Sequence, residues 1–237
     1  MKPNDKKLLI TQSNYIPWKG YFDSINTVDE FVVYDDMQYT KRDWRNRNQI
    51  KTPQGLFWLT IPVVVKGKFF QKINETQVSE KNWGNKHWKT IATNYSNAPY
   101  FKEYKDVFEN LYKDDTFCNI TDININFIKT INSILGINTK ITDSREFEII
   151  DGKTERLIDI CKKCNATDYY SGPAAKDYMD EGLFKNNNIN VHYFDYSNYS
   201  VYPQLFGDFS HFVTILDLIF NTGEKAKNYM KSFSNER

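Results

Sequence analysis

The sequence predicts an α/β fold: an open, mostly parallel sheet with flanking helices, carrying a β-hairpin and a helical insertion between about residues 45 and 135. Three observations lead there. An apolar run (KLLI), a short amphipathic stretch and a second β-branched run (FVVY) follow one another at the spacing of a βαβ unit. Strand-like and helix-like segments alternate again towards the C-terminus. Between these halves the pattern changes to two β-like segments around a TPQG turn, then to three amphipathic helices.

The elements follow in order. KKLLITQ is a short apolar run closed by polar residues, as a buried parallel strand should be. KGYFDSINTV places Tyr21, Phe22 and Ile25 on one helical face, and DEFVVYDD is the second strand. NRNQIKTP and GLFWLTIPVVV form the hairpin, with Pro53 and Gly55 in its turn. KGKFFQKINETQV is expected to add a further hairpin arm. Trp83, His87, Ile91 and Tyr95 recur four apart in the next helix. PYFKEYKDVFENLYK and ITDININFIKTINSILGI are two more helices, the second ended by Gly136. The strand NTKITDS, the helix TERLIDICKKC capped by Thr154, and the strand ATDYYSG come next. The helix AAKDYMDEGLF, the alternating strand INVHYFDY and a last helix, DFSHFVTILDLIFNTG, complete the set. One domain over residues 1–225 and a flexible polar tail at 226–237 are expected.

Composition excludes several classes. The 237 residues carry 31 basic and 30 acidic side chains, so no global charge draws the chain onto a nucleic acid or an anionic membrane. No apolar run is long enough to cross a bilayer, and the N-terminus lacks the apolar core of a signal peptide, so a cytoplasmic protein without membrane insertion is expected. Three cysteines do not make a disulfide framework. Cys161 and Cys164 lie on a helix with no second CxxC, which places Cys161 in the core and Cys164 at the helix end. No metal-ligand cluster and no Ser-His-Asp order can be assembled.

Ligands of open α/β sheets bind beyond the carboxyl ends of the strands. That rule selects Gln12–Gly20, Asp35–Asn48 and Tyr169–Tyr178. In the first, Pro17 sets the backbone, Gly20 allows close approach, and Gln12 and Asn14 can both donate and accept, as a nucleobase edge or sugar hydroxyls require. Trp18 either stacks on a ring or packs in the core. In the second, Lys41, Arg42, Arg45, Arg47 and Lys51 are interleaved with Tyr39 and Trp44, a pattern suited to a diphosphate carrying a planar base, or to a solvated loop. In the third, Ser171 and Gly172 precede a helix and suit an anion or a hydroxyl. Of three histidines, His192 sits in a strand and His211 near the start of the last helix without an obvious partner. His87 is either a general base facing a pocket or a hydrogen-bonded core residue.

QSNYIPWKGYFDSI, VYDDMQYTKRDWRNRNQIK, WLTIPV, NKHWKTIATNY, DYYSGPAAKDYMD and VYPQ with TILDLIFNTG together resemble the WbqC-like family, from about Lys7 to Gly223. The family's opening His-Gln-Pro reads Thr11-Gln12-Ser13 here, and its late Ser-Ile-Leu-Asp begins with Thr214. The resemblance implies a bacterial protein encoded among genes for O-antigen or related surface glycans. It implies transfer of an acyl or aminoacyl group to the amine of a nucleotide-linked amino sugar. The cosubstrate would be a thioester of coenzyme A or of an acyl or peptidyl carrier protein, with no tightly bound cofactor. On this reading His87 is the base, and Lys41, Arg42 and Arg47 grip the diphosphate. Gln12, Asn14, Tyr15 and Trp18 contact the sugar or base. Gln38, Tyr39 and Asn48 line the same cavity, and Asp36, Tyr95 and Ser171 complete the binding set. The partners are then the nucleotide sugar and a carrier protein, with a homodimer left open and no nucleic acid. Two alternatives stand beside it: a nucleotidyl- or glycosyltransferase on the same substrates, and a non-catalytic subunit that binds the sugar nucleotide or carrier protein. All require the N-terminal strand ends and the arginine-bearing loop to converge on one cationic hollow.

Overall fold

The computed structural model describes residues 5–234. Its parallel sheet contains β1 (Lys7–Thr11), β2 (Glu30–Val33), β5 (Lys140–Asp143), β6 (Asp168–Ser171) and β7 (Asn190–Tyr193), in the spatial order β5-β2-β1-β6-β7. The chain builds outwards from β1 on one side, then returns to build outwards on the other. The order therefore reverses between β1 and β6, and that is where an open α/β sheet leaves a crevice.

Period-two alternation explains why the central strands read as unbroken apolar runs. Leu9, Phe31 and Val33 face the larger core, and Leu8, Ile10 and Val32 face the smaller one. The larger core is built by α1 (Lys19–Asn26), α2 (Trp83–Tyr95), α3 (Phe101–Lys113), α4 (Ile120–Leu135) and α7 (Ile215–Thr222). The smaller core packs α5 (Thr154–Lys163) and α6 (Glu181–Asn186) on the opposite face, with Cys161 and Cys164 both buried in it. No helix among the described residues is long and apolar enough to cross a membrane.

The hairpin is β3 (Arg47–Thr52) against β4 (Gly55–Thr60), a separate antiparallel pair closed by Pro53 and Gln54. Gly55 has φ +105°, a conformation the tight turn needs and a side chain resists. The second arm expected from KGKFFQKINETQV does not form. Its backbone groups find partners elsewhere: Met37 accepts from Ile73 N–H at 2.9 Å, Asp35 from Asn74 at 3.0 Å and Cys118 from Val78 at 2.8 Å. Only isolated bridges and a 3₁₀ turn at Ile73–Glu75 result.

Three boundaries also move. Asp180 accepts from Leu183 N–H and starts α6, so AAKDYMDEGLF splits into a 3₁₀ turn (Pro173–Asp177) and a short helix. Thr154 is the first residue of α5, with Lys153 at the cap position. The last helix begins at Ile215, where Thr214 caps Leu216 N–H, leaving 208–213 as a loop. The tail expected to fray is packed over its described part: Ala226 and Met230 are buried, and Asp23 accepts from the backbone N–H of Lys231 at 2.8 Å and of Ser232 at 3.0 Å. Residues 235–237 lie outside the described residues.

Candidate functional site

The β1–β6 reversal opens a crevice of about 660 Å³. Gln12 and Thr11 enter it from the end of β1, and Ser171 and Gly172 from the end of β6. Tyr34 borders it from the β2 side, and Lys153 and Arg156 from the start of α5. The Ser171 hydroxyl is buried, with the Tyr169 hydroxyl 3.4 Å away. Arg156 is braced by its 3.1 Å hydrogen bond to the Tyr34 hydroxyl. The wall thus offers cations, an amide and hydroxyls, the groups a phosphorylated sugar uses.

Beyond Gln12 the chain turns sharply. Ile16 has φ +36°, costly for a β-branched residue and on the order of 1–3 kcal/mol. The turn is over-determined. Asn48 Nδ2 donates to Tyr15 O at 3.0 Å and to Ile16 O at 2.8 Å, and Tyr15 N–H donates to Trp44 O at 2.9 Å. The Trp18 indole then folds over Gly20, where a Cβ would meet Cζ2 of the indole at 2.3 Å. That contact is why glycine follows the tryptophan. A second cavity of about 240 Å³ lies on this turn, walled by Pro17, Trp18, Trp44 and Phe212, with Asn14, Asn48 and His211 as its polar groups.

Arg45 joins the two cavities. Its Nη2 donates to Gln12 Oε1 at 3.3 Å, and its Nη1 donates to Asn14 Oδ1 and to Ser13 O. A guanidinium only donates, so it fixes both amide oxygens and leaves each NH₂ to donate to a ligand. Asp35 anchors the same corner, accepting from Ser13 N–H at 2.8 Å, Ser13 Oγ at 2.6 Å and Thr121 Oγ1 at 2.7 Å.

His211 is the titratable group of the smaller cavity. Neither ring nitrogen has a hydrogen-bond partner among the described residues, and Nδ1 is buried without one. Burial, followed by the nearby Lys19 cation, lowers its pKa and keeps the imidazole neutral. Lys19 is itself lowered to about 8 by burial, against the opposing Asp23 charge. Among the described residues no group of three or more His, Cys, Asp or Glu side chains is placed to hold a metal ion.

The model of the WbqC-like protein family matches residues 12–229, which include every lining residue of the smaller cavity and all of the crevice's except Ile10 and Thr11. This chain belongs to the WbqC-like family. An uncharacterized protein of Mycobacterium tuberculosis is 50% identical over 226 residues, covering 95% of this chain and 98% of its own length. No solved structure matches the chain. Membership suggests a role associated with glycan biosynthesis.

Within this WbqC-like chain the expected site residues divide. Gln12 and Ser171 line the crevice, while Asn14, Trp18 and Asn48 line the smaller cavity. His87 does not reach either, and the expectation of a base there is corrected. It is buried among Trp83, Tyr15 and Tyr112, with Nε2 3.1 Å from Thr60 O and Nδ1 2.8 Å from the Tyr15 hydroxyl. The carbonyl can only accept, so Nε2 carries the proton and Tyr15 donates to Nδ1. Burial lowers His87 to about 4, so it stays neutral in the core.

The remaining expected contacts line neither cavity. Tyr15 and Tyr95 are buried, and the Tyr95 hydroxyl donates to Asp217 Oδ2 at 2.8 Å. Tyr39 packs on Ile73 and Ile120. Gln38 Nε2 donates to Phe69 O at 2.8 Å, and Asp36 accepts from Ser144 Oγ at 2.5 Å and Asn74 Nδ2 at 3.2 Å. Lys41 and Arg42 are exposed on the turn before β3, and Arg47 lies over the Trp58 ring at 4.0 Å. None of these three cations lines either cavity: Arg47 lies against the hairpin's own Trp58, and the other two side chains are exposed. The residues missed are Arg45, Lys153, Arg156 and His211. Arg45 was one of five cations in a run, with nothing local to single it out. Arg156 carried one signal, its place in the first turn of a helix facing strand ends. His211 was hidden by reading its loop as helix.

Proposed function

We propose that this chain is a transferase that acylates the amine of a nucleotide-linked amino sugar, drawing the acyl group from a thioester of coenzyme A or a carrier protein. The observation that supports it most is the adjacency of two unlike cavities across Arg45: a larger crevice with two cations, an amide and hydroxyls on a partly apolar wall, and a smaller aromatic cavity containing an unpartnered histidine. Arg156 and Lys153 take the diphosphate, and Gln12 and Ser171 take sugar hydroxyls. His211 accepts a proton from the amine as its nitrogen attacks the thioester carbon. Asn14 NH₂ donates to the oxyanion that forms. The C–S bond then breaks, the proton passes to the departing thiolate, and an amide remains.

The test is incubation of the purified protein with amino-sugar nucleotides and acyl thioesters, read by mass spectrometry. An amide product that His211→Ala abolishes, with nucleotide-sugar affinity kept, supports the reading. No amide across a broad donor panel removes it. A second reading, a non-catalytic subunit that holds the sugar nucleotide, is favoured by one observation: no carboxylate or carbonyl orients His211. Thermal stabilisation by the nucleotide sugar without turnover supports that alternative.

A further inference from the structure

We infer that the cavity beside Trp18 accepts an uncharged, apolar acyl group and rejects an aminoacyl group; the inference rests on the acyl-transfer reading above. The walls decide it. Trp18, Trp44, Phe212, Pro17 and Val213 supply apolar surface, and none of the lining residues is a carboxylate. The oxygen of Asn48 already accepts from Gln49 N–H at 2.8 Å and that of Asn14 from the Arg45 guanidinium, and neither amide oxygen carries the negative charge an ammonium needs. An α-ammonium in this cavity would therefore be desolvated without an anion.

The surroundings are positive as well. The N-terminal turn of α1 abuts the cavity at Pro17 and Trp18, and a helix N-terminus carries partial positive charge. Lys19, next in the chain, lies 5.0 Å and 5.1 Å from the centroids of Tyr199 and Tyr202, and its ammonium donates to Ser200 O at 2.7 Å. This ammonium is close enough to the cavity for its charge to act on His211. The space of about 240 Å³ corresponds to roughly eight waters, enough for a short alkyl or aryl chain. The polar end of such a group would lie at Asn14 and His211, and Phe212, 71% exposed, would close over its far end.

The test compares isosteres on the full chain. With one amino-sugar nucleotide, isobutyryl thioester is set against alanyl, and propionyl against glycyl, since each pair differs by methyl for ammonium. Acetyl, butyryl and hexanoyl thioesters form a length series. Expected is at least a tenfold advantage in kcat/KM for each uncharged partner, and a rise of roughly four-fold per added methylene until the cavity fills. Phe212→Ser, a change at an exposed position, should flatten the length series. Alanyl transfer as fast as isobutyryl, or acetyl as good as hexanoyl, overturns the inference while the transferase reading survives. If no donor gives product, quenching of tryptophan fluorescence by hexanamide against alaninamide decides separately. Preference for hexanamide upholds the cavity assignment without the reaction, and equal or reversed binding overturns it.

Discussion

Tyr15 and His87 lie 2.8 Å apart, hydroxyl to Nδ1, and the bond ties the strained N-terminal turn to a helix that begins 68 residues later. The Tyr112 hydroxyl sits 3.0 Å from the same oxygen, so one buried polar chain links three elements of the larger core.

That chain predicts a pH dependence of stability. His87 has a folded pKa of about 4 against an ordinary value of 6.5, mainly through burial. Between those values the unfolded chain binds a proton that the folded chain excludes. His87's contribution is therefore complete above pH 6.5 and is lost as pH falls towards 4, by up to roughly 3 kcal/mol. Urea midpoints should drop from pH 7 to pH 5, and His87→Gln should lower the pH 7 midpoint while flattening that dependence. An unchanged slope in the variant would contradict the assignment.

Arg45→Lys keeps the charge but loses the fork that holds Gln12 and Asn14 together. Nucleotide-sugar affinity should fall about tenfold or more, close to 1.4 kcal/mol. Calorimetric titration measures it, and a thermal midpoint within a few degrees of wild type separates the effect from unfolding.

Gly20→Ala places a methyl 2.3 Å from the Trp18 indole. The ring must shift, at a cost of about 1–3 kcal/mol. Thermal midpoint and tryptophan emission should both move, because the displaced indole walls the smaller cavity. A variant that melts like wild type would show that Trp18 does not occupy this position.

Tyr95→Phe leaves Asp217 Oδ2 and the backbone N–H of Lys51, which donates to the Tyr95 hydroxyl at 3.1 Å, each short of a partner. Stability should fall by about 1–3 kcal/mol. Tyr95 lines neither cavity, so activity per folded molecule should be unchanged. A selective loss of substrate affinity would return Tyr95 to the binding set.

His211 is lowered from the ordinary imidazole value, by burial first and Lys19 second. If it is the base of the proposed reaction, the acidic limb that His211 gives to the rate should lie below the ordinary imidazole value of 6.5, separate from the titration of the substrate amine itself. A limb at or above pH 7 would point to another group.

Local periodicity was enough to read the βαβ start, the Pro53–Gly55 hairpin, helices α2 to α4 and the burial of Cys161. Each of these is written within a window of ten to fifteen residues, where alternation or a four-residue recurrence states which face is apolar. Residue types near strand ends also marked Gln12, Asn14, Trp18 and Ser171, since the fold class says where strand ends lead. Folding alone settled the rest. Arg45 meets Gln12 across 33 positions, and Thr60 takes the proton side of His87 across 27. Whether a cation or an imidazole faces a cavity, a ring or solvent depends on partners brought together by packing, and no local pattern encodes those partners. The tail at 226–234 makes the same point: its composition is that of a solvated end, yet Asp23, on the first helix, holds it against the core.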